Sequence, residues 1–227
     1  MAFRTWLGGG LVLIIGCCSW PQGAHAVILI NEILADPPTI SGDANHDGIS
    51  NTTQDEFVEL ANTGAAPVSL AHWTLSDLLA TRHDFSVDAT IPGYGFYVVF
   101  GGGTPQGFAN VAIASTGTLS LNNTRETVTL RDASGTIIDA MSYGAEGGKD
   151  ASLTRAPDGS STFVIHTTVT GAPFSPGTTT DGRSTLAATT EHPSIPEPSS
   201  LALLLLGLCS LLRCTHRNLR SDACVTT

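Results

Sequence analysis

The chain has 227 residues, of which 41% are hydrophobic and 13% charged, and its formal net charge is −10. The stretch from Val27 to Pro198 is more acidic still, with six Lys and Arg against nineteen Asp and Glu, a net charge of −13. Such a surface repels phosphate backbones, so we expect no nucleic-acid partner.

The cysteines lie only in the two terminal segments of the chain, at Cys17, Cys18, Cys209, Cys214 and Cys224. The stretch between these segments contains none, so we expect the folded domain to lack both disulfides and thiolate metal sites. About 170 residues are enough to bury an apolar core that stabilises the domain without cross-links.

Residues 1–26 have the three parts of a secretory signal peptide. Arg4 supplies the positive charge, residues 7–16 form a short apolar run, and Ala24 and Ala26 give the small-x-small pattern before a cleavage site. The sequence therefore predicts export, with the mature chain beginning directly after Ala26.

Two other interpretations of this end stay open. The apolar run would remain as a membrane anchor if it were not cleaved, although it is short for a bilayer span. Residues 14–17 also loosely resemble a lipoprotein box, in which Cys17 would carry the lipid.

Between Val27 and Gly182 the sequence shows short β-branched runs separated by Gly, Pro, Asn and Asp, without a helical period. The turn residues Asp132–Gly135 predict a hairpin. Strands at this spacing, without helices between them, predict an all-β antiparallel sandwich or barrel. The predicted strands are residues 27–30, 56–60, 68–70, 73–75, 95–100, 111–113, 119–121, 127–130, 136–139 and 163–165.

An Asp- and Asn-rich loop, residues 42–56, separates the first two predicted strands. Asp43, Asn45 and Asp47 stand at alternate positions and Gly48 follows, as in the first half of an EF-hand calcium loop. Alternate side chains of a tightly curled loop direct their oxygens to one hard cation, and the glycine allows the chain to turn back. The pattern predicts a Ca²⁺ site.

The second half of this loop departs from the EF-hand pattern. The twelfth position is Gln54, a poor ligand, so Asp55 or Glu56 would have to close the shell together with the Ile49 carbonyl. The alternative is a turn that binds nothing, because Asn, Asp and Gly are also common loop formers.

Several motifs, in order along about 150 residues, resemble the lamin-tail domain family. This resemblance implies an immunoglobulin-like antiparallel β-sandwich over residues 27–177, and in bacteria an accessory or adhesion-type module. The motifs are Ile30–Ile33, Asp55–Asn62, Val68–Leu70, Trp73–Asp77, Leu121–Asn123, Val128–Gly135, Asp139–Gly144, Ser152–Arg155 and Ser175–Gly177.

Residues 178–194 are rich in Thr, Ser, Ala and Pro and predict a flexible linker. The end of the chain combines a Pro-rich motif, an apolar run over residues 201–212 and a basic cluster, followed by a tail over residues 221–227. The motif and the main basic residues are Pro196, Glu197, Pro198, Arg213 and Arg217.

This order of parts resembles the PEP-CTERM sorting signal of Gram-negative bacteria, here over residues 195–220. The apolar run would form a transmembrane helix held by the basic residues at the cytoplasmic face. The resemblance implies transient anchoring in the inner membrane, an exosortase-type processing enzyme as partner, and a final location at the cell surface or outside the cell.

The sequence thus predicts a non-enzymatic structural or adhesion module that binds polysaccharide or protein in the envelope or extracellular matrix, stabilised by calcium. A hydrolase of matrix polymers is the alternative. It would use Glu32 and Glu59, or the loop carboxylates, as a catalytic pair about 5 to 9.5 Å apart in a cleft. Burial of the two glutamates would favour the binding module.

Overall fold

The computed structural model describes residues 27–186, which fold into two packed β-sheets and a two-stranded ribbon. Two short 3₁₀ helices, Ala145–Gly147 and His166–Thr168, are the helical elements of this part. None of its helices has the length and apolar character needed to cross a bilayer. The strands in chain order are β1 (Ile28–Leu34), β2 (Phe57–Asn62), β3 (Val68–Ser69), β4 (Thr74–Ser76), β5 (Thr81–Asp84), β6 (Thr90–Ile91), β7 (Phe96–Phe100), β8 (Val111–Ile113), β9 (Glu126–Arg131), β10 (Ile137–Tyr143), β11 (Leu153–Arg155) and β12 (Phe163–Ile165).

The larger sheet has the strand order β12-β11-β1-β2-β7-β8, and the smaller has the order β10-β9-β4-β5. Strands β3 and β6 form the ribbon. Neighbouring strands are antiparallel, except that β7 and β8 run parallel. The structure confirms the all-β prediction, and the antiparallel sheets are consistent with an immunoglobulin-like sandwich.

The main core lies between the two sheets. Ile30, Val58 and Val99 of the larger sheet join Leu75 and Leu130 of the smaller sheet in one buried cluster. Strand β9 alternates buried and partly buried residues, as expected for a strand with one face in the core.

A second apolar layer covers the outer face of the larger sheet. Phe57 and Phe100 are fully buried there, with rings 5.6 Å apart in an edge-on arrangement. Phe108 and Phe174, from two loops, pack against the same cluster. Strands β2 and β7 are therefore buried on both faces, which explains why the sequence of β7 is a continuous apolar run.

Strand β1 contains a β-bulge at Asn31. Ile30 pairs with Leu60 and Glu32 pairs with Glu59, so Asn31 has no partner residue across the strand pair. A bulge shifts the alternation of side chains by one position. As a result, Asn31 and Glu32 both leave the apolar core, although both are fully buried.

An ion pair from the two sheets satisfies the backbone of the bulge. The Ile30 N–H donates to the Asp139 carboxylate (2.8 Å), and the Ile30 carbonyl accepts from Nε of Arg155 (2.7 Å). Arg155 also contacts Asp139 at 2.9 Å and lies 4.4 Å above the ring of Phe163. Since Asp139 belongs to β10 and Arg155 to β11, this pair joins the two sheets.

The structure contains three strands that the sequence did not predict, and it lacks one that the sequence did predict. Strands β5, β6 and β11 were not predicted as strands, because they are short and β5 is largely polar. Residues 119–121, predicted as a strand, form none. Ser120 has a left-handed φ of 51°, which interrupts an extended chain, although Leu119 and Leu121 are both buried.

The fold also continues past Gly177, the predicted end of the domain. Thr179 is buried, and the Leu186 N–H donates to the Tyr94 carbonyl at 2.8 Å. Leu186 itself packs against Ala61 and Phe96 on the outer face of the larger sheet. The predicted linker over residues 178–194 therefore begins later than its composition indicated, since at least residues 178–186 belong to the folded domain.

We expect the Arg155→Met substitution to reduce the free energy of unfolding by about 3–5 kcal/mol, because it leaves Asp139 and the bulge carbonyl without their partner. Urea denaturation followed by circular dichroism measures this change. Arg183→Met is the matched control, since its ion pair with Asp181 is exposed on both sides. Equal stability of the two variants would show that the buried ion pair does not stabilise the bulge.

Candidate functional site

The Asp/Asn-rich loop between β1 and β2 is closed by its own side chains. The two Asp43 carboxylate oxygens accept hydrogen bonds from the N–H groups of Asp47 (3.1 Å) and Gly48 (2.9 Å). The Asn45 amide oxygen accepts from the same Asp47 N–H at 3.0 Å. The oxygens of Asp43 and Asn45 therefore both lie beside the Asp47 N–H.

The loop is joined to the segment that follows β7. The Asn45 side chain donates to the Gly102 carbonyl at 3.3 Å, and one Asp47 oxygen accepts from the Thr104 N–H at 3.0 Å. Gly103 has a φ of 77°, and a Cβ there would lie 2.3 Å from the Asn45 amide nitrogen. The glycines after β7 thus allow the two loops to approach each other closely.

Asp55 closes the loop from its far end. Its oxygens accept hydrogen bonds from the N–H groups of Asn45 (3.0 Å) and Asn51 (2.7 Å), and its side chain is fully buried. Burial raises the pKa of the Asp55 carboxyl, and the charge of Asp43 raises it further. The loop therefore concentrates negative charge, and none of the ion pairs within residues 27–186 involves it.

Glu56 does not share this network. Its carboxylate accepts a hydrogen bond from the Leu121 N–H at 3.3 Å, in the segment between β8 and β9. Burial raises the pKa of Glu56 to about 8. Of the two carboxylates proposed from the sequence to close the loop, the structure brings Asp55 to it and directs Glu56 elsewhere.

Ile49 lies in the exposed turn of the loop, where its side chain is 62% exposed. Its N–H donates to Asp47 at 3.0 Å. Across residues 27–186, no three Asp, Glu, His or Cys side chains are grouped so that they could hold a metal ion. A cation in this loop would need the Asn45 amide oxygen and a backbone carbonyl as ligands beside the carboxylates.

Glu32 and Glu59 lie next to each other on β1 and β2 and hold the last described segment, residues 172–186, which we term the C-terminal strap. Glu32 accepts from the Ser175 N–H (3.0 Å) and the Ser152 hydroxyl (2.6 Å). Glu59 accepts from the Gly177 N–H at 2.6 Å. Both glutamates are fully buried.

Asn31, the bulged residue, extends this network along the strap. Its side-chain amide donates to Glu59 (2.9 Å) and to Asp158 (3.1 Å). Asp158 in turn accepts from the N–H and hydroxyl of Thr180 on the strap, at 3.0 and 2.9 Å. Three carboxylates therefore bind backbone N–H groups of the strap at Ser175, Gly177 and Thr180.

His166 completes the network, and its contacts restrict the proton positions. Nδ1 lies 2.8 Å from the Ala172 carbonyl, which only accepts, so this nitrogen carries a proton. Nε2 lies 2.9 Å from the Ser175 hydroxyl, which lies 2.9 Å from Glu32. A hydroxyl donates one proton, so Glu32 and His166 are either both charged or both neutral.

The burial of the two glutamates governs their ionisation. Burial raises the pKa of Glu32, while the charge of His166 and the serine hydrogen bonds oppose this effect. Burial, together with the charge of Glu32, raises the pKa of Glu59 well above its ordinary value. Both carboxylates accept hydrogen bonds from the strap and are shielded from solvent, so neither faces an open cleft in this structure.

Sequence reasoning missed His166 and Asp158 as members of this network. His166 lacks the spacing of a metal ligand, and Asp158 lies in an ordinary Pro-Asp-Gly turn. The motif residues Ile30–Ile33 and Ser175–Gly177 were recognised, but nothing in the sequence indicated that their side chains and backbone bind each other.

The two facing sheets, the bulge in β1 and the buried carboxylates are the features of a β-sandwich module. A model of the Lamin Tail Domain family matches residues 21–145, more than half of the chain, and the chain belongs to this family. Among curated proteins, none matches it. The matched region ends before β11, β12 and the strap, which complete the larger sheet and cover its outer face.

We expect Glu56→Gln to make the protein more stable at high pH relative to the unsubstituted chain. Because the folded-state pKa of Glu56 is raised to about 8 from an ordinary value of 4.5, its contribution to stability is complete below pH 4.5 and is lost as the pH rises through 8. Glutamine keeps the acceptor for Leu121 and removes this loss, which is at most about 1.4 kcal/mol per pH unit within that window.

Melting temperatures of both proteins at pH 5 and pH 9 measure the effect. Glu146→Gln is the control, since Glu146 is exposed and the Gly144 N–H lowers its pKa. A Glu56→Gln variant whose advantage does not grow between pH 5 and pH 9 would contradict the assignment.

Proposed function

We propose that this chain is an exported, non-enzymatic structural or adhesion module that binds polysaccharide or protein in the envelope or extracellular matrix. Membership of the lamin tail domain family supports this, because the family consists of structural immunoglobulin-like domains. The single observation that carries the proposal is the role of Glu32 and Glu59, which are buried and bind the strap. A hydrolase would need a carboxylate pair that reaches its substrate.

The charge of the domain supports a partner other than nucleic acid. Residues 27–186 contain six Lys and Arg against seventeen Asp and Glu, a net charge of −11. A negative domain repels phosphate backbones at a distance and stays soluble at high concentration. Both properties suit a module that is displayed outside the cell.

The export route rests on the two ends of the sequence, which lie outside the described residues. The signal-peptide pattern ending at Ala24 and Ala26 supports export, and the motif at Pro196–Pro198 with Arg213 and Arg217 supports handling by an exosortase-type enzyme. In this proposal the apolar run over residues 201–212 anchors the chain in the inner membrane until it is cut.

The intact mass of the mature protein, purified from its native host, tests this route. We expect a chain that begins at Val27 and ends near Pro196–Pro198, because both terminal signals are removed. A mass that includes residues 201–212 would contradict processing of the C-terminal end. A chain that begins at Cys17 and carries the added mass of a lipid would instead support the lipoprotein interpretation and contradict cleavage after Ala26.

We further propose that Ca²⁺ binds the loop over residues 42–56. The alternate spacing of Asp43, Asn45 and Asp47 supports this, as does the raised pKa of the buried Asp55 carboxyl nearby. A bound cation would offset the charge that Asp43 and Asp55 concentrate there. The oxygens that now accept backbone N–H groups would share their remaining lone pairs with the ion.

Calcium is expected to raise the melting temperature of protein stripped with a chelator, since a ligand of the native state stabilises by about 2.7 kcal/mol at a hundred times its Kd. Asp43→Asn should remove this gain, because it keeps the hydrogen-bond acceptor and loses the charge. Asp150→Asn, at an exposed turn with a φ of 51°, should keep it. An unchanged melting curve at millimolar calcium would contradict the proposed Ca²⁺ site, and it would not bear on the proposed binding of polysaccharide or protein.

A further inference from the structure

The Asp/Asn-rich loop presents an exposed ring at the surface of the domain. The imidazole of His46 is stacked on the ring of Phe108, with centroids 5.2 Å apart and planes inclined by 16°. His46 is exposed, while Phe108 is partly buried and packs against the apolar cluster on the outer face of the larger sheet. The outer face of the imidazole is thus a flat platform supported from below.

Two open depressions flank this platform. One has a volume of about 350 Å³ and extends to His166 and Ser175, and the other has a volume of about 440 Å³ and extends to Gly93 and Phe96. His46, Pro176 and Thr178 line both of them, so the two depressions adjoin each other across the strap, and we term them together the His46 groove. Each half falls within the roughly 300–1,000 Å³ range of small-molecule sites.

The lining of the His46 groove includes no Asp, Glu, Lys or Arg, and its titratable side chains are His46 and His166. The rest consists mainly of hydroxyl side chains, glycine backbone, proline and aromatic rings. The surrounding domain is strongly acidic, with seventeen carboxylates in residues 27–186. A third depression, which contains Arg125, Glu126 and Glu146, shows that other surface recesses of this domain are charged.

This chemistry selects a class of ligand. Cations find no carboxylate in the groove, and acidic polymers find no Lys or Arg. The Thr178 and Thr180 hydroxyls already donate to the Ser175 carbonyl and the Asp158 carboxylate, so they offer acceptor lone pairs to a polar ligand. A neutral sugar ring presents C–H groups on its face and hydroxyl groups at its rim. It can therefore stack on His46 while its rim hydroxyl groups donate hydrogen bonds to the hydroxyl oxygens of Thr178, Thr180 and Ser184.

The groove is built by segments that are already fixed before a ligand binds. His46 has a φ of 60° in a loop closed by Asp43 and Asp55, and Asp47 joins that loop to Thr104. The strap residues of the groove are held by the carboxylates of Glu32, Glu59 and Asp158. Preformed walls reduce the entropy lost on binding.

We infer that the His46 groove is a binding site for a neutral oligosaccharide chain, with one sugar ring stacked on His46 and its neighbours lying over the strap. This inference rests on the proposed function and narrows its ligand to an uncharged glycan.

The test compares two histidine variants of the full chain. His46→Asn removes the platform and retains a residue that tolerates positive φ, and His72→Asn is the matched control, since His72 is also exposed and has a φ of 62°. Isothermal titration with cello-, manno-, xylo- and laminari-hexaose supplies neutral probes, and hexagalacturonate supplies an acidic one.

We expect at least one neutral hexasaccharide to bind, with a Kd that rises tenfold or more in His46→Asn and stays unchanged in His72→Asn, while hexagalacturonate does not bind. If a neutral hexasaccharide binds His46→Asn as tightly as the unsubstituted chain, the His46 groove is not the binding site. The proposed function as a polysaccharide-binding module would then still stand. Failure of all four neutral probes, or preference for the acidic one, would overturn the inferred ligand class. The mass of the mature protein tests the export route separately.

Discussion

The β-bulge at Asn31 is the feature on which most of this structure depends. One residue without a cross-strand partner moves Asn31 and Glu32 out of the apolar core and onto the covered face of the larger sheet. The Arg155–Asp139 pair satisfies the backbone beside the bulge, and the glutamates that face outward bind the strap. The bulged segment of β1 therefore pairs with β2, contacts the ion pair that joins the two sheets, and binds the strap that covers the outer face.

The buried carboxylates act as acceptors for backbone donors in this fold. A segment without secondary structure, such as the C-terminal strap, leaves N–H groups that need partners when it covers a sheet. Glu32, Glu59 and Asp158 supply those partners, and His166 is linked to Glu32 through the Ser175 hydroxyl. Carboxylates that resemble a catalytic pair in the sequence thus have a structural use, which agrees with a family of structural domains.

Sequence reasoning succeeded where a local pattern is sufficient. The apolar run of β7, the alternation in β9 and the turn at Asp132–Gly135 each depend on neighbouring residues, and the structure contains all three. It failed for residues 119–121, where a left-handed Ser120 interrupts an apolar run. It also assigned residues 178–186 to a linker, because a strap stabilised by distant carboxylates has the composition of a loop.

The sequence by itself determined the fold class, the family motifs and the curled loop, since periodicity, turn residues and the Asp-Asn-Asp spacing are properties of short segments. Only the tertiary structure decided which carboxylates meet. Asp55 binds backbone of the loop, whereas Glu56 binds Leu121 outside it. Glu32 accepts a hydrogen bond from Ser175, which is 143 positions away, and His46 stacks on Phe108. Contacts between residues so far apart follow from strand register and from the path of the strap, which no local pattern encodes.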